Sequence, residues 1–519
     1  LDKVTHTIFP HLTTEPHAEE NCAPYWEFRA DRASHPVSLA AFDGGVAAVA
    51  IEPYCDNAAG IVADDGADFV RNGLCAQLAH DGRPHACGVT FGYRNTPSTY
   101  SNKARFQPST QHRLGRGRVS GSIHLLPAAD RLAVHTVIRR LHARFRQPAE
   151  HALTRDRGID LLAGAMLTHG WSEADDNFAD MKWDFDAGRL VPFRGGNDEI
   201  AWIGGTQTVV PLLVAGHRAG NREMIHKAEH ILDRIAHPAS VNPDSGWLWD
   251  ACGADERSHV GWWTGGIGPA HCAYTNGEAL AYLLQAFTYA RDVMNLDRPH
   301  WRDIPLQVLE TALRVQAEDG HFGYAYSLDG GSMTDPDGFA GCWFAAALAH
   351  AWDLTADRRY LDAADRAMDR YSHDVRALCC WGTPMDTRKA IDQEGVLAYI
   401  RAARLLHQFT DDRKYLDMLA HGAEYEYLWR FVIRARPQVP PLAGSPWNSC
   451  GGSITSTSNP HIPPMGLLVS GDLAYLAEHT GDHYHRQRCD DGLDWALNCI
   501  ELYPDAVGYG APGVLTERF

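Results

Sequence analysis

Residues 345–371 read Ala345-Ala346-Ala347-Leu348-Ala349-His350-Ala351-Trp352-Asp353-Leu354-Thr355, then Ala356-Asp357-Arg358-Arg359-Tyr360-Leu361, then Asp362-Ala363-Ala364-Asp365-Arg366-Ala367-Met368-Asp369-Arg370-Tyr371. The first block is apolar nearly all round, which suits a buried helix. The middle block turns the corner, and the third keeps its charges on one helical face. The design recurs where 394–410 leads into Asp411-Asp412-Arg413-Lys414-Tyr415-Leu416, and where 465–480 leads into Gly481-Asp482-His483-Tyr484. Upstream, 205–219 turns at Gly220-Asn221-Arg222 into 224–235, and 276–294 passes through 295–300 into 301–316. With 131–144 and 159–170 as a first pair the count reaches six hairpins. A unit of roughly 50 to 70 residues exceeds the usual helical solenoid repeats. The expected fold is therefore mainly α, an (α/α)6 toroid over 131–519.

The direction of the hairpins predicts where a site would lie. Apolar helices form the inner ring and charged ones the outer ring, joined by short turns at inner C-termini. Long connections then collect at inner-helix N-termini, where unpaired N–H groups and the helix dipole favour anions. Structureless loops of about 20 to 40 residues are uncommon unless they build something.

Residues 1–130 have another texture. Short β-type runs such as Val46-Ala47-Ala48-Val49-Ala50-Ile51, Cys87-Gly88-Val89-Thr90-Phe91-Gly92-Tyr93 and 118–126 are bounded by Gly, Pro, Asn and Asp. A β-rich N-terminal domain, an antiparallel sandwich, is expected there.

Composition limits the function. With 519 residues, 45% hydrophobic and 22% charged, the chain can bury a large core. A formal charge of −18 argues against nucleic-acid and anionic-membrane surfaces, which require basic patches. No apolar run is long enough to span a bilayer. The chain starts at Leu1, and no signal peptide is visible. Its twelve cysteines show no C-x-x-C pair, which suits free thiols and a cytoplasmic location. No cofactor and no resident metal are expected.

The loops supply the candidate chemistry. The first holds Trp171-Ser172-Glu173-Ala174-Asp175-Asp176-Asn177, followed by Asp180 and Asp184. Crowded carboxylates cannot all ionise freely, so Asp175 or Asp176 is a candidate general acid. The alternative makes Ser172 a cap and the aspartates solvated loop charges. A magnesium site of Asp-Asp-x-x-x-Asp type lacks a second acidic cluster. The second loop carries Trp247, Trp249, Trp262 and Trp263 ahead of His271-Cys272-Ala273-Tyr274-Thr275-Asn276-Gly277-Glu278. Tryptophan faces stack on sugar rings. Glu278 is a candidate catalytic carboxylate, although Thr275-x-x-Glu278 also reads as a capping box. His271 is either a site residue or a satisfied core histidine. Further on come Trp381, Asp392, Glu394, Trp447 and His461, with capping as the plain explanation for Asp392 and Glu394. Arg194, Arg388 and Arg518 are the cations placed to meet an anionic ligand.

A β-rich N-terminal region before six hairpins, with Trp and carboxylates in the inner-helix loops, resembles the (α/α)6 glycoside hydrolases and related polysaccharide lyases. Three stretches, 171–177, 271–280 and Gly508-Tyr509-Gly510-Ala511-Pro512-Gly513-Val514-Leu515-Thr516-Glu517-Arg518-Phe519, are similar to glycoside hydrolase family 154. That resemblance implies β-glucuronidase activity on a terminal glucuronide or a uronic-acid-containing oligosaccharide. The family's catalytic pair is not matched residue by residue, so the site rests on the loops. The expected pair is Asp176 with Glu394, with Asp175, Asp250 and Glu278 in reserve. Trp171, Trp249, Trp262, Trp263, Tyr274, Asn276, Trp381 and Trp447, with Arg194, His271 and Arg388, are expected to bind substrate. A uronate lyase using His271 and Tyr274, a non-catalytic carbohydrate-binding protein, and a zinc toroid using Cys379 or Cys380 are the alternatives. A homo-oligomer is compatible with the composition.

Overall fold

Three of the short turns are built from three residues that satisfy one helix end and start the next. In Thr355-Ala356-Asp357 the threonine hydroxyl donates back to the Ala351 carbonyl and accepts the Asp357 N–H, and the Asp357 carboxylate caps the Arg359 N–H. Thr410-Asp411-Asp412 and Thr480-Gly481-Asp482 repeat every one of these bonds. The central residue is left-handed in all three, with φ of 56°, 57° and 69°. The capping aspartate starts the second helix earlier than the sequence pattern suggests. The outer helix begins at Arg358, inside the stretch 356–361 that turns the corner, where Asp357 accepts one orphan N–H of its first turn, that of Arg359.

The computed structural model describes 132–519 apart from 185, 194–198, 253–259, 262–268, 384–388, 390–392, 433, 435–446, 455–463, 504–509 and 516–519, together with nine strands between Val4 and Ala128. The described helices are α1 (Ala133–Phe145), α2 (Arg155–Ala165), α3 (Thr206–Ala219), α4 (Arg222–Ile235), α5 (Ala273–Asp292), α6 (His300–Val315), α7 (Trp343–Thr355), α8 (Arg358–Arg376), α9 (Glu394–Thr410), α10 (Arg413–Glu426), α11 (Ser470–Thr480) and α12 (His483–Cys499). They form the expected mainly α, (α/α)6 arrangement.

Inner helices α3, α5, α7, α9 and α11 pack side by side in chain order, each joined by a short turn to its outer partner. The first pair closes the circle in a different way from the rest. Helix α1 runs alongside α12, with Arg139 bonded to Asp482 and Arg146 to Asp491. Helix α2 then bridges from α12, where Gly158 faces Leu497 and Ile500, to α3, where Asp156 meets Arg218. The core sits in the middle helices. Nine consecutive residues of α7, Trp343 to Ala351, are buried, as are twelve consecutive residues of α5, Ala273 to Leu284. Burial all round suits their largely apolar sequence, with Thr275, Asn276, Glu278 and His350 as the polar side chains buried among it. Gly277 allows the closest approach, since a Cβ there would lie 2.8 Å from the Trp343 Cβ.

Outer helices are tied by a recurring hydroxyl contact. Tyr360 donates to Glu310 and Tyr415 to Asp365, each reaching a carboxylate on the preceding outer helix, and Arg359 and Lys414 pair with the same carboxylates. The long loops carry small ladders. Strands β10 (Trp171–Ser172) and β11 (Asn177–Phe178) form one hairpin, β12 (Asp180–Asp184) and β13 (Arg189–Phe193) a second. Strands β14 (His271–Cys272), β15 (Ala325–Tyr326) and β16 (Met333–Asp335) join the loops before α5 and α7. In the N-terminal stretch all described pairings are antiparallel: β1 (Val4–Phe9), β2 (Leu12–Thr14), β3 (Val37–Phe42), β4 (Gly45–Ile51) and β9 (Ile123–Ala128) form a five-stranded sheet ordered β2-β1-β3-β4-β9, while β5 (Ile61–Ala63) pairs with β8 (His112–Leu114) and β6 (Asn72–Gln77) with β7 (Ala86–Phe91). Strand β4 spans Gly45–Ile51 and β9 Ile123–Ala128, where the sequence shows its β-type runs. No described helix is long and apolar enough to cross a membrane.

Candidate active site

The N-terminal turns of the inner helices place Gln207 on α3, Tyr274 and Glu278 on α5, Trp343 on α7 and Glu394 on α9 at one end of the ring. Glu278 is fully buried, and Glu394 is 8% exposed. Gln207 Nε2 donates to Glu278 Oε1 at 3.2 Å, while Glu278 Oε2 is buried without a protein hydrogen-bond partner. Burial holds the Glu278 carboxyl well above the usual carboxylate range, and the neighbouring Glu394 charge pushes it further in the same direction. Glu394 occupies the first turn of α9, where helix N–H groups favour negative charge. Burial and the Glu394 charge thus both favour the neutral acid form of Glu278.

Aromatic rings and a second polar layer surround the pair. Tyr274 lies edge-on to both Trp202 and Trp343, with ring centres 6.2 Å away in each case. The Trp343 indole N–H is buried with no protein acceptor. One turn below Glu278 on α5 is Tyr282, whose phenol is pushed up to about 12, mainly by burial. It bonds Arg401, which with Arg404 clamps the Asp472 carboxylate of α11 at 2.9 and 2.8 Å. Burial in this layer keeps His350 of α7 neutral, down at about 3, with Arg404 and Arg401 adding to the effect.

Two buried clusters fix the helix ends that carry the acids. Before α5, Asp250 Oδ1 accepts the Cys272 N–H at 2.9 Å and Oδ2 lies 3.1 Å from His271 Nδ1. His271 Nε2 meets Ser245 Oγ at 2.9 Å and Asn242 Nδ2 at 3.1 Å. Both ring nitrogens are thus engaged, and His271 is a satisfied core histidine. Asp250 also bonds the Thr275 hydroxyl, and burial raises its carboxyl above the ordinary value. This external cap starts α5 at Ala273, two residues before Thr275, so the expected capping box does not form and Glu278 projects into the ring. Before α9, the buried Glu426 accepts from Gln393 Nε2 and Arg430 Nε, both at 2.6 Å, holding the residue that precedes Glu394. Sequence reasoning missed Glu426 and Arg430, because their i,i+4 spacing is that of an ordinary surface pair.

The structure separates the remaining candidates. Asp175 bonds Ser172 Oγ at 2.7 Å at the tip of the β10–β11 hairpin, and Asp176 has φ 52°. Asp176 faces the outer helix α4, where His230 lies at 2.5 Å and Arg234 at 3.0 Å, and Trp171 lies beneath Lys227 of the same helix. Asp176 and Glu394 are thus attached to different layers, one to an outer helix and one to an inner helix. Asn276 spends its amide on the Leu248 N–H and C=O. Trp249 is half-buried with its ring 5.5 Å from His271, Trp381 is half-buried with the Lys389 ammonium 5.1 Å from its ring, and Trp447 is buried with Trp495 and Cys499. Arg194, Trp262, Trp263, Arg388, Asp392, His461 and Arg518 lie outside the described residues. Among the described residues, no group of three or more His, Cys, Asp or Glu is arranged to hold a metal.

No protein-family model matches the chain, and no curated protein matches it. Solved structures similar to it include a cellobiose 2-epimerase from Bacillus thermoamylovorans, at 12% identity over 74% of this chain and 94% of that one with a TM-score of 0.46. A D-mannose isomerase is similar at 12% identity over 70% and 92% with a TM-score of 0.47. An unsaturated glucuronyl hydrolase specific for heparin is similar at 10% identity over 66% and 81% with a TM-score of 0.38.

Proposed function

We propose that the chain is a glycoside hydrolase that cleaves terminal β-D-glucuronides, with Glu278 as general acid and Glu394 as its carboxylate partner. The observation that carries this reading is the buried Glu278–Glu394 pair at the N-terminal ends of two inner helices, in which burial and the Glu394 charge hold Glu278 toward the neutral acid. Glu278 donates its proton to the glycosidic oxygen as the bond to the anomeric carbon breaks. Glu394 either takes a proton from the attacking water or bonds the anomeric carbon before water displaces it; the two routes differ in stereochemistry. Either way the products are the free sugar acid and the alcohol. The preference for a uronate rests on the resemblance of 171–177, 271–280 and 508–519 to family 154, with Arg194 and Arg388 as proposed carboxylate ligands.

Glu278 replaces Asp176 in the expected pair, because Asp176 is held by Arg234 and His230 of an outer helix. Of the two bases a lyase could draw on, His271 and Tyr274, the histidine has both ring nitrogens occupied. The test is a panel of nitrophenyl glycosides with the wild type, Glu278→Gln and Glu394→Gln. Glucuronide should be cleaved in preference to glucoside, galactoside and xyloside, and each variant should lower kcat by about 10²-fold or more. Preference for a neutral sugar overturns the uronate assignment, and near-normal turnover in a folded variant overturns the pair.

A further inference from the structure

Between α2 and α3 runs an apolar groove of about 360 Å³, lined by Ile159, Leu162, Met166, Met181, Pro211 and Leu515. That volume is in the range of pockets that hold small organic ligands. Its other described lining side chains are alanines, Leu212, Thr208 and Gln207, with no charged group. Ile159 at the mouth is 39% exposed, unusual for a residue of its kind on a helix otherwise rich in charge.

Gln207 links the groove to the site. Its side chain lines the groove while its Nε2 donates to Glu278 Oε1 at 3.2 Å. Pro211, four residues on, has no N–H to give the Gln207 carbonyl, so α3 leaves a backbone acceptor at this end of the groove without its helical donor. A general acid stands on the leaving-group side of the bond it protonates, so the space beside Glu278 receives the aglycone. We infer that this groove is the aglycone subsite and that the preferred substrates carry an apolar, ring-sized aglycone, a class of aryl or polycyclic glucuronides.

This inference rests on the hydrolase reading and deepens it. The experiment compares phenyl and 2-naphthyl β-D-glucuronides, whose leaving groups are similar in acidity but differ by one apolar ring, and in parallel titrates free 2-naphthol by its fluorescence. Expected is a kcat/KM about tenfold higher for the naphthyl substrate, from the additional ring taken out of water. Ala215→Trp, which fills the groove from α3, should bring that ratio close to one and abolish 2-naphthol binding. Should that variant fail to fold, Ile159→Glu, which places a charge at the mouth, serves for the same comparison. Hydrolysis of both substrates at equal efficiency with no 2-naphthol binding overturns the groove and leaves the hydrolase standing. Binding of 2-naphthol that Ala215→Trp blocks, with no glycoside cleaved, supports an apolar pocket but overturns its role as an aglycone subsite together with the hydrolase reading.

Discussion

Glu278 is kept protonated by its burial against Glu394, and that environment makes its proposed role testable at one atom. Its raised pKa sets the sign. The neutral form is the active acid, so activity should fall as pH rises through that value, and the alkaline limb should vanish in Glu278→Gln. A leaving group that departs without a proton should bypass the same defect. Glu278→Gln is therefore expected to retain far more activity on a dinitrophenyl glucuronide than on the phenyl compound, whereas Glu394→Gln should lose comparable activity on both; equal losses for the two substrates in Glu278→Gln would assign the acid elsewhere. The sequence offers Glu278 both as a candidate catalytic carboxylate and as half of a capping box, Thr275-x-x-Glu278, with the capping role favoured. That reading fails because the cap comes from Asp250, which accepts the Cys272 N–H across the chain. Local spacing holds no record of such a partner.

At the scale of elements, the inner-to-outer turns show how far pattern reasoning reaches. The helix 394–410 agrees with Glu394–Thr410, and the turns fall where apolar runs give way to charge. The starts of the outer helices are displaced by several residues, because Asp357, Asp412 and Asp482 draw the following residues into the first turn. Ala356 stands in the left-handed conformation that Gly481 adopts freely in the equivalent turn. A side chain there costs energy that glycine avoids. Ala356→Gly should therefore stabilise the protein by up to about 1 kcal/mol, part of the relief being offset by the greater freedom of glycine when unfolded. Chemical denaturation measures this, and a loss of stability would show that the turn carries no strain.

Across the whole molecule, the ring is closed by an ionic network that joins distant parts of the chain. Arg139 of α1 binds Glu424 of α10 and Asp482 of α12, and it also contacts His485. Nearby, His142 and Arg146 hold Asp491. Burial lifts the Glu424 carboxyl to about 7 against the pull of Arg139 and Arg488, with Asp482 assisting the rise. The folded state thus holds a proton that the unfolded chain releases near pH 4.5. Stability from this group is complete below that pH, declines as pH rises toward 7, and is lost above it. The change is on the order of a few kcal/mol. Glu424→Gln, a permanently neutral mimic, should flatten the stability profile between about pH 4.5 and 7 in thermal melts; an unchanged slope would place the titration in another group. Nothing in the sequence near 139 points to 424 or 482, because the contact spans more than 280 residues.

The sequence carries the helical hairpins and their direction, since apolar periodicity and turn chemistry are local and survive in one dimension. It also brought Glu394 and Glu278 into view as acids at inner-helix starts. Folding alone brings the Glu394 charge within electrostatic reach of Glu278, binds Asp176 to an outer helix and locks His271 in the core. Those outcomes depend on burial and on charges far apart in the chain, and free energy of that kind is set by what folding brings together.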